Sequence, residues 1–262
     1  MKKTQDTIKT YWDDRAGLDN SQQSTTMDVW LRDIELRVTS ETIQRYQPHQ
    51  ICDVGCGDGW TTINAGIAYP ELQFFGFDYS ENMIKNANRN RDQYGANNVN
   101  FAVGDITKST NPNKYDFIFS SRCLINLADW SSQKNALENI KNSLGPGGIY
   151  LMIENFTEGQ NLFNSVRSSF GLASIPVRDH NTFFERSQVL DFMSNEFEIE
   201  SDINISSSYY LVSRIIYSSI CQKNNVTPDY YDIHHELASK LPFLGEFGPT
   251  RAITFRKSKG SS

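Results

Sequence analysis

"DVGCGDG", residues 53–59, decides how this chain is read. Glycine stands at every second position, Gly55, Gly57 and Gly59, directly after the apolar run "QICDV". The helix-like "WTTINAGIAY" (60–69) follows. Strand, glycine turn and helix in that order place the turn at the carboxyl edge of a sheet, where ligands bind. The dinucleotide pattern G-x-G-x-x-G needs glycine at position 60, which is Trp60. The P-loop needs G-K-[ST], and no such lysine follows. A C-x3-C-x2-C cluster motif starting at Cys52 and Cys56 needs cysteine at 59, which is Gly59. The loop carries Asp53 and Asp58 and no basic residue, a poor setting for pyrophosphate and a good one for a cation. Asp58 reads as the solvent-facing member of that pair.

Outward from the loop, strands and helices alternate. "LQFFGFD" (72–78), "NVNFAVGD" (98–105), "YDFIFSS" (115–121) and "IYLMIENF" (149–156) read as strands. "SENMIKNANRNRDQYG" reads as a helix with Ser80 as N-cap and Gly95 as stop. A further helix, from residue 131, is expected to end at Gly145 and Pro146. "FEIESDINIS" (197–206) and "RAITFRK" (251–257) supply two more strands. This order predicts an α/β fold: a doubly wound, mostly parallel seven-stranded sheet with helices on both faces, N-terminal helices and helical cap insertions. Nearly continuous apolar runs such as "YLMIE" fit strands covered on both sides. The expected division is an N-terminal helical cap segment over 1–48 and a ligand-binding domain over 49–262, with cap insertions at about 157–185 and 207–249.

The bulk properties narrow the function classes. The chain has 262 residues, a net charge of -6 and 38% hydrophobic residues. Mean hydropathy is -0.51 and pI about 5.3. No apolar run approaches the ~20 residues of a membrane helix, and the start lacks the apolar core of a signal peptide. A cytoplasmic location is expected, with no nucleic-acid partner favoured on an acidic chain. The four cysteines are Cys52, Cys56, Cys123 and Cys221, too few for a disulfide scaffold. They read as reduced core residues. No H-E-x-x-H or comparable spacing occurs, so no metal is expected.

With these features in order, the chain resembles the class I, Rossmann-like S-adenosylmethionine-dependent methyltransferases. The likeness rests on "DVGCGDG", which matches the family's D-x-G-x-G-x-G loop, and covers residues 50–155. It implies a cofactor, S-adenosylmethionine, that is cationic and carries no phosphate. It also implies roles. Asp53, Gly55 and Gly57 form the binding loop. Asp78, nineteen residues beyond Gly59, accepts the ribose hydroxyls, and Tyr79 packs on the adenine with Met83 nearby. Asp105 meets the adenine amino group, and Ile106 lines the ring. Ser121 opens the loop "SSRCLINLADW", under the sulfonium and the acceptor. "LGPGGIYLMIE" resembles the family's turn before strand five. "YWDDRA" (11–16) resembles a segment of small-molecule members, in which Tyr11 and Trp12 cover the cofactor and Arg15 faces its carboxylate.

The acceptor side is read from what remains. Arg122 and Asn126 follow the fourth strand, where Arg122 either meets an anionic substrate or braces a nearby acid such as Glu154. His49 lies at the wrong end of the sheet, and His234 and His235 read as surface or cap residues. That leaves His180, in "IPVRDHNTFFE", and Glu154, at the end of strand five, as candidate catalytic bases. Arg178, Asn181 and Tyr209 are expected to face the acceptor. The stretch from Glu154 to Phe184 resembles members that methylate sugars, polysaccharide ends or small metabolites. The expectation is therefore methyl transfer to an oxygen of a small molecule, sugar or glycan. Nitrogen transfer to an amine or amino sugar, and a non-catalytic cofactor-binding regulatory partner, stay open. So does the choice of monomer or homodimer.

Overall fold

The computed structural model describes residues 4–18, 25–108 and 114–259. Two helices, α1 (Gln5–Leu18) and α2 (Val29–Tyr46), lead into β1 (Gln50–Val54). Then come α3 (Trp60–Ala68), β2 (Gln73–Asp78), α4 (Glu81–Tyr94), β3 (Val99–Val103) and β4 (Tyr115–Ser121). After β4 follow α5 (Trp130–Ser143), β5 (Leu144–Asn155), α6 (Thr157–Ser169), α7 (Arg186–Met193) and β6 (Phe197–Asn204). A cap is built from α8 (Ser207–Tyr210), a π-helical turn over Leu211–Ile216, α9 (Tyr217–Lys223) and α10 (Ile233–Ser239). The last strand, β7 (Thr250–Lys257), runs between β5 and β6.

The sheet has seven strands in the order β3-β2-β1-β4-β5-β7-β6. Strands β1 to β5 pair in parallel, and β7 is antiparallel to both of its neighbours. The strand order reverses between β1 and β4, which opens a crevice beyond Val54 and Ser121. The expected α/β architecture is the one observed. Two boundaries differ. Helix α5 stops at Ser143, and β5 begins at Leu144, so "LGPGG" belongs to the strand. The pairing of Tyr115 with Leu144 already starts the β4–β5 ladder, and a bulge absorbs the glycines.

Alternate residues of each strand feed two cores. Cys52, Val54, Ile118, Tyr150 and Met152 face α5 and α7. Ile51, Phe117, Phe119, Leu151 and Ile153 face the other way, against Leu31, Ile34, Val38 and Ile43 of α2. Period-two alternation on strands covered by helices on both faces makes both sets apolar. Helix α2 also buries a polar row, Arg32, Glu35, Thr39 and Thr42, at helical spacing within its apolar stripe. That row leads to the site.

Candidate functional site

The loop after β1 is tied to the end of β2. The N–H groups of Gly55 and Cys56 both donate to the carbonyl of Phe77, at 2.8 and 3.1 Å. Gly57 N–H donates to Asp78 Oδ2 at 3.1 Å, and Ser80 N–H donates to Asp78 Oδ1 at 2.9 Å. Gly55 has φ +73, and a Cβ there would lie 2.0 Å from Cys123 Sγ. Both the left-handed backbone and the close approach of the fourth-strand loop demand glycine at this point. Asp53 accepts a hydrogen bond from Thr62 Oγ1 at 2.5 Å.

Asp58 departs from its expected place. It is 2% exposed and pairs with Arg32 at 2.8 Å. The Arg32 guanidinium lies 4.8 Å from the centre of the Trp60 ring. An acid on a glycine loop looks solvent-bound in one dimension, but α2 lies across this loop and supplies the partner. Burial raises Asp53 to about 7 and Asp78 to about 6. Charged carboxylates in a desolvated pocket are costly, and a bound cation would relieve that cost.

Two connected cavities lie over the crevice. The inner one is lined by Trp12, Asp53, Gly55, Gly57, Asp78, Tyr79, Met83 and Ser121. A side lobe reaches Asp105 and Ile106. Asp105 accepts from Thr107 and pairs with Lys108 at 3.0 Å, and these contacts hold its carboxyl below the usual range. The outer chamber is lined by Arg178, His180, Asn181, Phe183, Tyr210, Arg214 and Tyr230, among others. Trp12, Thr25, Arg122 and Asn126 line both cavities and form their common wall. Three buried polar atoms at these surfaces have no partner among the described residues: Tyr79 Oη, Ser121 Oγ and Asn126 Oδ1.

The wall is held stiffly. Arg122 has φ +49, a left-handed conformation unusual for a residue with a side chain. Its guanidinium donates twice to Glu35 of α2, at 2.6 and 3.2 Å, and its N–H donates to Ile153 at 2.7 Å. Glu35 pushes Arg122 well above the ordinary range despite burial. Arg122 therefore does brace a nearby acid, and that acid is Glu35 and not Glu154. Glu35 and Arg32 escaped the sequence reading, and their one signal was the polar row inside the α2 stripe.

Four expected residues line neither cavity. Glu154 is fully buried beneath the site. Its carboxylate accepts from Ser120 Oγ at 3.0 Å and from the N–H groups of Cys123, Leu124 and Ile125 at 3.2, 2.9 and 3.3 Å. That position braces the turn after β4. Burial pushes Glu154 up to about 7. Tyr209 is 1% exposed and turned into the cap, where its hydroxyl donates to Asp28. Its neighbour Tyr210 faces the chamber instead. Tyr11 reaches the site through His180, on which it stacks at 4.2 Å. Arg15 lies on the same helix, one turn beyond the wall.

The loop bearing His180 is anchored from below. Thr182 N–H donates to Ile125 at 2.6 Å, and Gln133 Nε2 donates to the carbonyls of Leu124 and Thr182 at 3.2 and 2.9 Å. Helix α1 is anchored too: Ser80 Oγ donates to Asp13 at 2.5 Å. Trp12 of α1 closes edge-on to His180 at 5.8 Å. Among the described residues no group of three His, Cys, Asp or Glu side chains gathers as a metal site would need, and no helix is long and apolar enough to cross a membrane.

Comparison with known proteins fits this layout. A family model described as a methyltransferase domain matches residues 48–224, more than half of the chain. The chain belongs to this family, and with its seven-stranded sheet it is of the class I, Rossmann-like, S-adenosylmethionine-dependent kind. Malonyl-[acyl-carrier protein] O-methyltransferase 2 of Ilyobacter polytropus is 26% identical over 62% of this chain and 60% of its own length. The malonyl-[acyl-carrier protein] O-methyltransferase of Halalkalibacterium halodurans is 28% identical over 49% of this chain and 46% of its own. The chain thus spans about half to three fifths of these relatives. Among solved structures, the PH0226 protein of Pyrococcus horikoshii OT3 superposes with TM-score 0.59 at 14% identity, covering 92% of this chain and 94% of that one.

Proposed function

We propose that this chain transfers a methyl group from S-adenosylmethionine to an oxygen of a small polar molecule or sugar. The observation that carries this is the pair of cavities sharing the wall of Trp12, Thr25, Arg122 and Asn126. The residues of the inner cavity fit the cofactor. Asp53 and Asp78 are buried acids that a cation stabilises. Tyr79 Oη, Ser121 Oγ and Asn126 Oδ1 have no partner among the described residues and can meet hydroxyl, carboxylate and ammonium groups. The cofactor supplies a methyl group on a sulfonium, a good leaving group, so alignment of the acceptor is what the protein must add.

On this reading the Gly55–Gly57 loop and Asp78 seat the donor. Arg122 and Asn126 meet it on one side and the acceptor on the other. An oxygen nucleophile must lose its proton, and His180 takes it, its ring fixed by Tyr11 and Trp12. The O-methyltransferase names of the relatives support oxygen as the acceptor atom. The test is release of S-adenosylhomocysteine over a panel of hydroxylated and amine acceptors, for the wild type and His180→Ala. The expected variant keeps cofactor affinity and loses about 100-fold in kcat, with a flattened pH profile. Nearly full rate in His180→Ala would favour the amine reading. Cofactor binding without turnover on any acceptor would favour the regulatory one.

A further inference from the structure

The two cavities differ in charge. In the inner cavity Arg32 and Arg122 are matched by Asp58 and Glu35, and among the described residues no cation pairs with Asp53 or Asp78. In the outer chamber Arg214 is matched by Asp28, the one lining acid among the described residues. Arg178 also lines that chamber, and among the described residues no acid pairs with it. An overall charge of -6 makes a cationic chamber a local exception on an acidic protein. Clefts lined by one sign of charge concentrate ligands of the other.

The second cation is placed by an unusual device. Arg214 sits in the π-helical turn over Leu211–Ile216. A π turn adds a residue and shifts the phase of the helix, and such turns cluster at functional sites. The guanidinium is clamped by Asp28 and lies 4.2 Å from the Tyr230 ring centre and 5.6 Å from that of Tyr210. A guanidinium so immobilised keeps donors beyond those given to Asp28. On the opposite side, Asn181 N–H bonds the carbonyl of Arg178 at 2.9 Å, a turn that sets Arg178 beside Asn181 and His180.

From this we infer that the acceptor is an organic anion whose carboxylate is held in the outer chamber by Arg178, with Arg214 and Asn181 beside it. The inference rests on the methyl-transfer reading and adds the substrate class to it. One unmatched guanidinium suits a monoanionic carboxylate better than a dianionic phosphate. The charge split also serves the reaction, since a cationic donor and an anionic acceptor attract each other across Arg122 and Asn126. The aromatic faces of Tyr210, Tyr230 and Phe183 would receive the acceptor's apolar body.

The experiment separates this inference from the reading beneath it. Calorimetry first measures S-adenosylhomocysteine binding to wild type and Arg178→Gln. Absence of binding would sink the methyl-transfer reading itself. Ligand-observed NMR on the S-adenosylhomocysteine-loaded protein then compares benzoate with benzamide, and 4-hydroxybenzoate with 4-hydroxybenzamide. The acids are expected to bind about tenfold more tightly than their amides. Arg178→Gln is expected to erase that difference while leaving cofactor affinity unchanged. Equal binding of acids and amides, no binding of either acid, or a preference that survives in Arg178→Gln would each overturn the inference.

Discussion

The inner cavity and the outer chamber are built by different means. The inner cavity is centred on strand ends and one glycine loop, with Trp12 of α1 and Arg32 and Glu35 of α2 closing it. The outer chamber gathers side chains from α1, the start of α2, the turn after β4, the loop over 175–183, and the cap. Strand ends in a parallel sheet stand at a common edge, so their residues meet whatever the distant chain does. The chamber exists only if these segments, together with Asn155 of β5, Gln160 of α6 and Pro249, arrive together. The first kind of site tolerates little change in its backbone, and the second tolerates change in its members.

The largest effect that would test this contrast is Gly55→Ala. A Cβ there would need Cys123 to move from 2.0 Å, on a backbone at φ +73. The cost is roughly 3 kcal/mol or more in stability, read in thermal unfolding, with loss of measurable S-adenosylhomocysteine binding. A fully stable variant with normal affinity would break the claim that the loop geometry is indispensable. Next in size, Asp78→Asn removes the charge and keeps one acceptor oxygen where Gly57 and Ser80 N–H now have two. Affinity for S-adenosylmethionine should fall by about 10- to 100-fold in calorimetry, whereas Arg178→Gln in the other cavity should leave it untouched. Equal losses in both variants would erase the distinction.

The smallest effect is pH dependence. Asp53 and Asp78 titrate at about 7 and about 6 in the folded chain, above the unfolded carboxyl range near 4. The folded state therefore holds protons that the unfolded state has lost. The stability these groups contribute is present below about pH 4 and is lost as pH rises through 6 and 7. Binding of a cationic donor runs the opposite way, because it needs the ionised form. Affinity should strengthen about tenfold between pH 5 and 8, measured by calorimetry at constant ionic strength. A flat profile would show that the buried acids do not sense the donor's charge.

The legibility of the molecule follows the same division. The seven strands and the inner lining of Asp53, Gly55, Gly57, Asp78 and Ser121 could be read by counting along the chain. Errors arose where orientation, not spacing, decides. Tyr209 and Tyr210 are adjacent, yet one residue on a helix turns the side chain by about 100°, and Tyr210 is the one that faces the chamber. Glu154 ends a strand at the correct edge but points under the turn, where three N–H groups claim it. Asp58 looked exposed because its partner, Arg32, lies on a helix that precedes the sheet.

By itself the sequence determined the sheet, the glycine turn and the acids beside it, and through them the family. Those features are local: a strand's period, a positive φ and a carboxylate at a strand end are set by neighbours in the chain. Tertiary structure alone decided which charges are matched and which are left over. Glu35 claims Arg122 and Asp28 claims Arg214, because α2 and its N-cap pack against the sheet far along the chain from both arginines, and among the described residues no acid pairs with Arg178.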